Sequence, residues 1–332
     1  MEKHIAPSMK ILRHPSEITW ARSRGTLYPL NVEFDLSNAC NLACSWCAFG
    51  DRHNADVMLL KLARGILRQL KECDAKAITL SGGGEPTTNP QFAEIVECAH
   101  DLGFDIGMYT NGVDISRVLP VLGMFEWIYV SLDEVSPSSY RASKGRDVWG
   151  RVIENVGMLV CEKPEHVIVG LGFLIHPENV LEAGRMIELG MLTGADYVQF
   201  KPVVGMPSYE WTYDGLEFLT RLQVHSGSYV VLDQQRFVDL RNESEGGWKR
   251  GYEVCRGCEL VPAITADGKM WVCPNTRMQL PLGDLATESL VDVLGRRQRQ
   301  PVVNECRVAC RNHYLNTVLE YVCGKGRHDN FV

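Results

Sequence analysis

Cys40, Cys44 and Cys47 stand on CxxxCxxC spacing in the run CNLACSWC. Three thiolates in one short loop can grip a metal, yet they stop one ligand short. A structural zinc site closes with four protein ligands, and a 4Fe–4S cluster usually takes four cysteines, one per iron. Three cysteines leave one iron open, and an open iron can hold something that reacts. The loop follows the strand-like run Val32–Glu33–Phe34–Asp35–Leu36, so it falls at a strand's C-terminal end, where barrel enzymes keep their chemistry.

Other residues of chemical interest also gather at the ends of strand-like runs. SGGGEP at 81–86 closes a second run, and a glycine-rich turn lets backbone N–H and C=O groups approach a ligand closely. Thr110–Asn111–Gly112 and Ser131–Leu132–Asp133 close a third and a fourth. Gly170 and Gly172 interrupt a fifth, and glycine inside a strand often marks close approach by a ligand. Gln199 and Lys201 share one side of a sixth, and one or both can point at a substrate. A second cysteine group, Cys255, Cys258, Cys273, Cys306 and Cys310, offers five thiols for the four places of a closed cluster.

These residues need a scaffold, and the pattern from 31 to 200 supplies one. Short apolar runs at 31–36, 77–81, 104–109, 127–132, 167–174 and 196–200 read as parallel strands buried on both faces. Amphipathic stretches at 56–72, 90–102, 114–122, 147–161 and 178–190 read as the intervening helices. Six strand–helix units predict a parallel sheet, either open or curled into an incomplete barrel. After about residue 235 the pattern changes. Asn242–Gly247 reads as a linker, Ile264–Val272 as a hairpin turning at Asp267–Gly268, and 287–297 and 312–322 as helices. The expected division is an N-terminal extension at 1–30, a barrel at 31–235 and a small C-terminal domain at 236–332.

The bulk numbers agree with an enzyme. A 332-residue chain, 45% hydrophobic and 23% charged, can bury a large core. No apolar run reaches membrane-spanning length and the N-terminus has no signal-peptide core, so a cytoplasmic location is expected. In that setting the 12 cysteines read as metal or redox ligands rather than disulfides, with Cys73, Cys98 and Cys161 as buried apolar thiols. A net charge of −7 gives no global case for nucleic acid. Two small basic runs, Arg22 with Arg24 and Arg296–Arg297 with Arg299, keep it as a minority reading.

CNLACSWC, with Trp46 just before its third cysteine, followed some thirty residues later by SGGGEP, resembles the radical S-adenosylmethionine (SAM) superfamily. The resemblance spans roughly residues 31–202. The C-terminal cysteines resemble an auxiliary-cluster domain: Cys258 or Cys255, then Gly268, then Cys273 fits CX9–15GX4C, and the set looks like the short "twitch" form of the SPASM domain.

The resemblance implies a partial (β/α)6 barrel with a small auxiliary iron–sulfur domain. It implies that SAM chelates the open iron and is cleaved reductively to a 5′-deoxyadenosyl radical, fed by a flavodoxin- or ferredoxin-type donor. It places Trp46, Gly83, Gly84, Glu85, Asn111, Ser131, Asp133, Arg141 and Gly172 around SAM. Lys144, near Arg141, is as readily a solvated surface lysine. The resemblance makes Cys255, Cys273, Cys306 and Cys310 the auxiliary ligands, with Cys258 either replacing Cys255 or donating a hydrogen atom. The expected reaction is dehydrogenation, epimerisation or rearrangement of a small polar molecule such as an aminosugar. The alternatives are a nucleotide-, DNA-base- or peptide-modifying enzyme of the same class and, outside it, a non-catalytic iron–sulfur or zinc protein.

Overall fold

The computed structural model describes residues 7–16, 18, 28–176, 179–203, 213–232, 234–244, 251–252, 255–277, 279–296, 310 and 312–323. Six strands appear where the apolar runs predict them: β1 (Asn31–Asp35), β2 (Ala77–Ser81), β3 (Asp105–Thr110), β4 (Trp127–Ser131), β5 (Ile168–Ile175) and β6 (Tyr197–Pro202). Each pairs in parallel with the next. A seventh parallel strand, β7 (Val230–Leu232), follows β6. Its three residues are too few to carry a periodic signal.

The strands are not apolar on both faces. Val32, Phe34, Ile78, Leu80, Ile106, Met108, Ile128, Val130, Val169, Leu171, Phe173, Val198 and Phe200 lie on one face, each at most 1% exposed. They pack with helical residues such as Ala63, Ile66, Leu67, Leu70, Val152, Val156 and Met186 in one core, and each such burial contributes about 1.5–3 kcal/mol. Strand alternation then assigns the other face to Asn31, Glu33, Asp35, Thr79, Ser81, Tyr109, Trp127, Tyr129, Ser131, Tyr197, Gln199 and Lys201. That inner face is polar and aromatic.

The helices are α1 (Leu60–Glu72), α2 (Phe92–Asp101), α3 (Pro137–Lys144), α4 (Trp149–Glu162), α5 (Ala183–Thr193), α6 (Tyr213–Ser226) and α7 (Gln234–Ser244). Residues 56–58 do not join α1: Asn38 N–H donates to Asp56 O at 2.9 Å and Met58 N–H to Leu36 O at 2.9 Å, so this stretch braces the end of β1. The expected helix at 114–122 is a 3-10 segment, Leu119–Met124, because Pro120 and Gly123 disfavour a regular helix there. The expected linker at 242–247 is in part the end of α7, and 245–247 lie outside the described residues. Cys73 and Cys98 are half-buried and Cys161 is exposed at the end of α4, not buried as expected.

The C-terminal part contributes α8 (Gly257–Leu260), β8 (Ala263–Ile264), β9 (Lys269–Trp271), β10 (Pro281–Asp284), α9 (Leu290–Gly295) and α10 (His313–Cys323). Gly268 takes φ +86° in the hairpin turn, which favours glycine. The hairpin is no separate layer. β8 pairs in parallel with β1, Glu33 against Ala263 and Phe34 against Ile264, so among the described residues one ten-stranded sheet runs β10-β9-β8-β1-β2-β3-β4-β5-β6-β7. No helix among the described residues is long and apolar enough to cross a membrane.

Candidate active site

The three-cysteine loop leaves β1 at Asp35 and is held from two sides. On one side the C-terminus of α3 offers its last carbonyls: Ala43 N–H donates to Lys144 O at 3.1 Å and Ser45 N–H to Ser143 O at 2.8 Å. α3 is well delimited, with the Ser136 side chain capping its start, Pro137 in its first turn and Gly145 at φ +73° ending it. On the other side the glycine loop packs on the root of the cysteine loop. Gly84 N–H donates to Ser37 O at 3.1 Å and Glu85 N–H to Ala39 O at 2.8 Å. A Cβ on Gly84 would lie 2.1 Å from Ala39 O, so only glycine permits this approach.

Glu85 is 2% exposed, and its carboxylate is fully engaged inside the protein. It accepts from Thr87 N–H and Oγ1, from Thr110 Oγ1 at 2.7 Å and from Asn111 N–H at 2.8 Å. Burial raises its pKa while these donors oppose the rise. Glu85 thus ties the end of β3 to the glycine loop. Asn111 continues the tie: its Nδ2 donates to Asn41 Oδ1 at 2.7 Å and lies 4.0 Å from Cys40 Sγ.

Asp133 and Lys144 form a buried pair, Nζ to Oδ2 2.5 Å, at 2% and 3% exposure. Lys144 is therefore no surface lysine, whereas Arg141, one turn earlier, is exposed. Lys144 Nζ also donates to Ser131 O at 3.3 Å and lies 5.9 Å from the Trp46 ring centroid. Asp133 sits at φ +61° and accepts from Leu174 N–H at 2.9 Å, while its own N–H donates to Gly172 O. The Ser131 hydroxyl makes no hydrogen bond to a described residue. Beside Gly172 a Cβ would lie 2.1 Å from the Tyr129 hydroxyl, which accounts for that glycine by packing within the protein.

Cys40, Cys44 and Cys47 are half-buried. Desolvation raises the Cys40 thiol and pushes Cys44 up to about 11, with Lys144 opposing at Cys44. Without a metal Cys40 and Cys44 are therefore thiols, and metal binding must drive off their protons. Among the described residues no three His, Cys, Asp or Glu side chains converge on a single ion. The donor set, three cysteines on a backbone pinned from two sides, suits a multi-iron cluster. His53 Nε2 lies 3.9 Å from Cys47 Sγ, and the His176 ring is 6.2 Å from Trp46. Both histidines stand beside the loop although their sequence context carries no signal for it.

Across the inner face, Lys201 Nζ stands 4.0 Å from the Tyr129 ring centroid and 4.7 Å from that of Tyr109. Trp127 meets Tyr109 edge-on at 5.1 Å. Tyr109, Trp127, Tyr197, Gln199 and Lys201 are all half-buried, unlike the sealed opposite face.

Part of the second cysteine group is also brought together. Cys255, Cys258 and Cys273 share one apolar cluster with Val272, Leu280 and Leu282. Cys255 Sγ accepts from Asn316 Nδ2 at 3.3 Å, while Cys258 Sγ donates to Cys255 O at 3.1 Å. Cys310 Sγ accepts from Asn312 N–H at 3.4 Å and from Asn275 Nδ2 at 3.8 Å. Amide donors aimed at sulfur are what a cluster's thiolates require. Arg256, next to Cys255, has Nε and Nη1 buried without a hydrogen-bond partner among the described residues, which fits an anionic group held there. Cys306 lies outside the described residues, as do Arg297 and Arg299, while Arg296 pairs with Glu288.

A parallel half-barrel with an incomplete thiolate set at its strand ends defines a cluster-dependent enzyme. Residues 35–189 match the family model described as Radical SAM superfamily. A probable GTP 3′,8-cyclase of Saccharolobus islandicus is 28% identical over 263 residues, 73% of this chain and 82% of its own length. One of Sulfurisphaera tokodaii is 22% identical over 80% and 89%. The fold matches Streptococcus suis SuiB bound to S-adenosylmethionine (TM-score 0.66, 15% identity, 88% of this chain and 71% of that one). It also matches anSMEcpe with bound AdoMet (0.59, 15%, 81% and 80%). Over residues 35–189 the chain is a radical SAM superfamily domain, and the protein is a radical SAM enzyme. Its family implies a 4Fe–4S cluster and SAM.

Proposed function

We propose that this enzyme acts on a nucleotide, a substrate carrying both a stacking base and an anionic group. The carrying observation is the inner face. Tyr109, Trp127 and Tyr197 are half-buried and offer aromatic surface, and Lys201 is held over Tyr109 and the buried Tyr129 by cation–π contact. Base stacking and a phosphate are what such a wall recognises, as in other nucleotide-binding sites. Two archaeal relatives named as probable GTP 3′,8-cyclases support the same substrate class. This moves the reading away from a sugar-like substrate and towards the nucleotide alternative.

In this reading Cys40, Cys44 and Cys47 hold the catalytic cluster. The backbone of Gly83 and Gly84 meets the amino-acid end of SAM, with Glu85 fixing the loop from behind. Trp46, Asn111, Ser131 and the backbone of Gly172 line the adenosine. Lys144, pinned by Asp133, rather than the exposed Arg141, supplies the buried positive charge. Bound SAM supplies a hydrogen-abstracting carbon radical after one-electron reduction, from a flavodoxin- or ferredoxin-type donor. The protein's part is to hold the substrate's C–H bond, exclude water and keep charge balanced.

Cys255, Cys273, Cys306 and Cys310 hold an auxiliary 4Fe–4S cluster. The hydrogen bonding favours Cys255 over Cys258 in this role: Cys255 accepts at sulfur from Asn316, whereas the Cys258 thiol donates to the Cys255 carbonyl. The division into a barrel at 31–235 and an auxiliary segment at 236–332 follows these roles. Anaerobic reconstitution with iron, sulfide, dithionite and SAM tests the reading. The four ribonucleoside triphosphates, deuterated on the sugar, are offered in turn. Deuterium in 5′-deoxyadenosine from one of them is the expected result. Label transfer only from a deuterated aminosugar or peptide would overturn it.

A further inference from the structure

Arg277 is a buried cation that none of these roles uses. It follows Cys273 by four residues, in the segment after β9, yet its guanidinium is inside the barrel at 2% exposure. Nη1 donates to Asp35 Oδ1 and Oδ2 at 2.9 and 2.7 Å, and Nη2 donates to Glu33. Its own Nε donates to Pro274 O at 3.1 Å, which orients the fork. The guanidinium also lies 4.8 Å from the Phe49 ring centroid, two residues past Cys47.

Each partner of Arg277 reaches the SAM loop. Asp35 Oδ2 also accepts the Gly83 N–H at 3.2 Å. Glu33 also accepts from Ser81 Oγ at 3.2 Å. Asp35 and Glu33 are 0% and 4% exposed on one face of β1, where two unpaired carboxylates would repel strongly. A residue delivered by the auxiliary-cysteine segment thus fixes the acceptor for the second glycine of SGGGEP and braces the far end of the cluster loop.

We propose that Arg277 is a positioning residue that couples the auxiliary-cysteine segment to SAM binding. It shapes the Gly82–Glu85 loop through Asp35 and the cluster loop through Phe49. The coupling rests on SAM binding at that loop, as proposed above. Because coupling is reciprocal, bound SAM in turn favours the seated position of the segment that carries Cys273 and Arg277.

The test measures SAM affinity by equilibrium dialysis, and the SAM-induced change in the EPR signal of the reduced cluster, on reconstituted protein with iron content matched to wild type. Arg277→Met weakens SAM binding by ~10-fold or more, within the usual range of coupling between sites, and diminishes the spectral change. Arg277→Lys recovers only part, since one ammonium cannot make the forked contact to both carboxylates. The neutral triple variant Glu33→Gln/Asp35→Asn/Arg277→Met restores affinity to within ~3-fold of wild type, because the asparagine amide oxygen still accepts from Gly83 and no charge is stranded. It also serves if the single variant fails to fold. Wild-type affinity in Arg277→Met, or a triple variant as weak as the single one, overturns the coupling and leaves the functional reading intact. A wild-type enzyme that binds no SAM overturns both.

Discussion

The two cysteine groups are built by opposite means. The loop of Cys40, Cys44 and Cys47 is shaped by backbone hydrogen bonds to Ser143, Lys144 and, through the glycine loop, Ser37 and Ala39. Its three sulfurs stay half-buried on the side of a polar, aromatic barrel interior. The C-terminal group instead gathers Cys255, Cys258 and Cys273 in an apolar cluster, with Cys255 and Cys310 half-buried and side-chain amides from Asn316 and Asn275 directed at their sulfurs. One arrangement is held by backbone hydrogen bonds, and the other by apolar packing and side-chain amides. Hydrogen bonding to sulfur is one of the factors that tune a redox group.

The largest test of this contrast swaps single thiols. Cys44→Ala removes a proposed ligand of the catalytic cluster, and formation of 5′-deoxyadenosine is expected to fall at least ~10³-fold, as losses of an activating group commonly do. Cys310→Ala removes a proposed ligand from the C-terminal group. It is expected to lower iron content while SAM cleavage without substrate stays within ~10-fold of wild type. Iron analysis and chromatographic quantitation of 5′-deoxyadenosine check both. Equal losses from the two variants would break the distinction between the groups.

A smaller effect separates the two regions through glycine. Gly84→Ala would set a methyl group 2.1 Å from a backbone carbonyl that cannot move away without shifting the cysteine loop. A loss of ~3 kcal/mol or more is expected, in the range of strong core overpacking. Gly268→Ala in the auxiliary hairpin meets Leu62 Cδ2 at 3.1 Å, the far end of a flexible side chain, and its main penalty is the positive φ of +86°. About 1–2 kcal/mol is expected there. Denaturant unfolding of the two variants ranks them, and a reversed order would show that the glycine loop is the more yielding of the two.

Much of this contrast is legible in the amino-acid order, and the illegible part has a common cause. CxxxCxxC, SGGGEP and the six apolar runs are local patterns, and the strands and loops appear where those patterns stand. β7 escapes notice because three residues carry no period. The inner face of the strands reads as apolar because Val32, Phe34, Ile78 and Leu80 dominate short windows, although Glu33, Asp35, Thr79 and Ser81 alternate with them. Lys144 reads equally as a cation near SAM or as a solvated surface residue in SSYRASKG until Asp133 is brought against it. Arg277 is the clearest case. It meets Asp35 from 242 positions away, and that meeting exists only because β8 joins the sheet at the edge of β1.

The smallest effect lies at that seam between the two regions. Burial raises the Asp35 pKa from 3.8 to about 6, with Glu33 adding to the rise and Arg277 and the Gly83 N–H opposing it. The folded protein therefore binds a proton more tightly at this site than the unfolded chain does. Between about pH 4 and 6 the native state carries the extra proton, so this group's contribution to stability declines as pH rises and levels off above about 6. Each unit of that window is worth at most about 1.4 kcal/mol. Asp35→Asn cannot titrate, so its unfolding free energy, followed in denaturant from pH 4 to 7, should lose this downward slope relative to wild type. An unchanged slope would mean that Asp35 is already ionised throughout that range. Arg277 would then hold both carboxylates charged, and the seam would be the more tightly clamped for it.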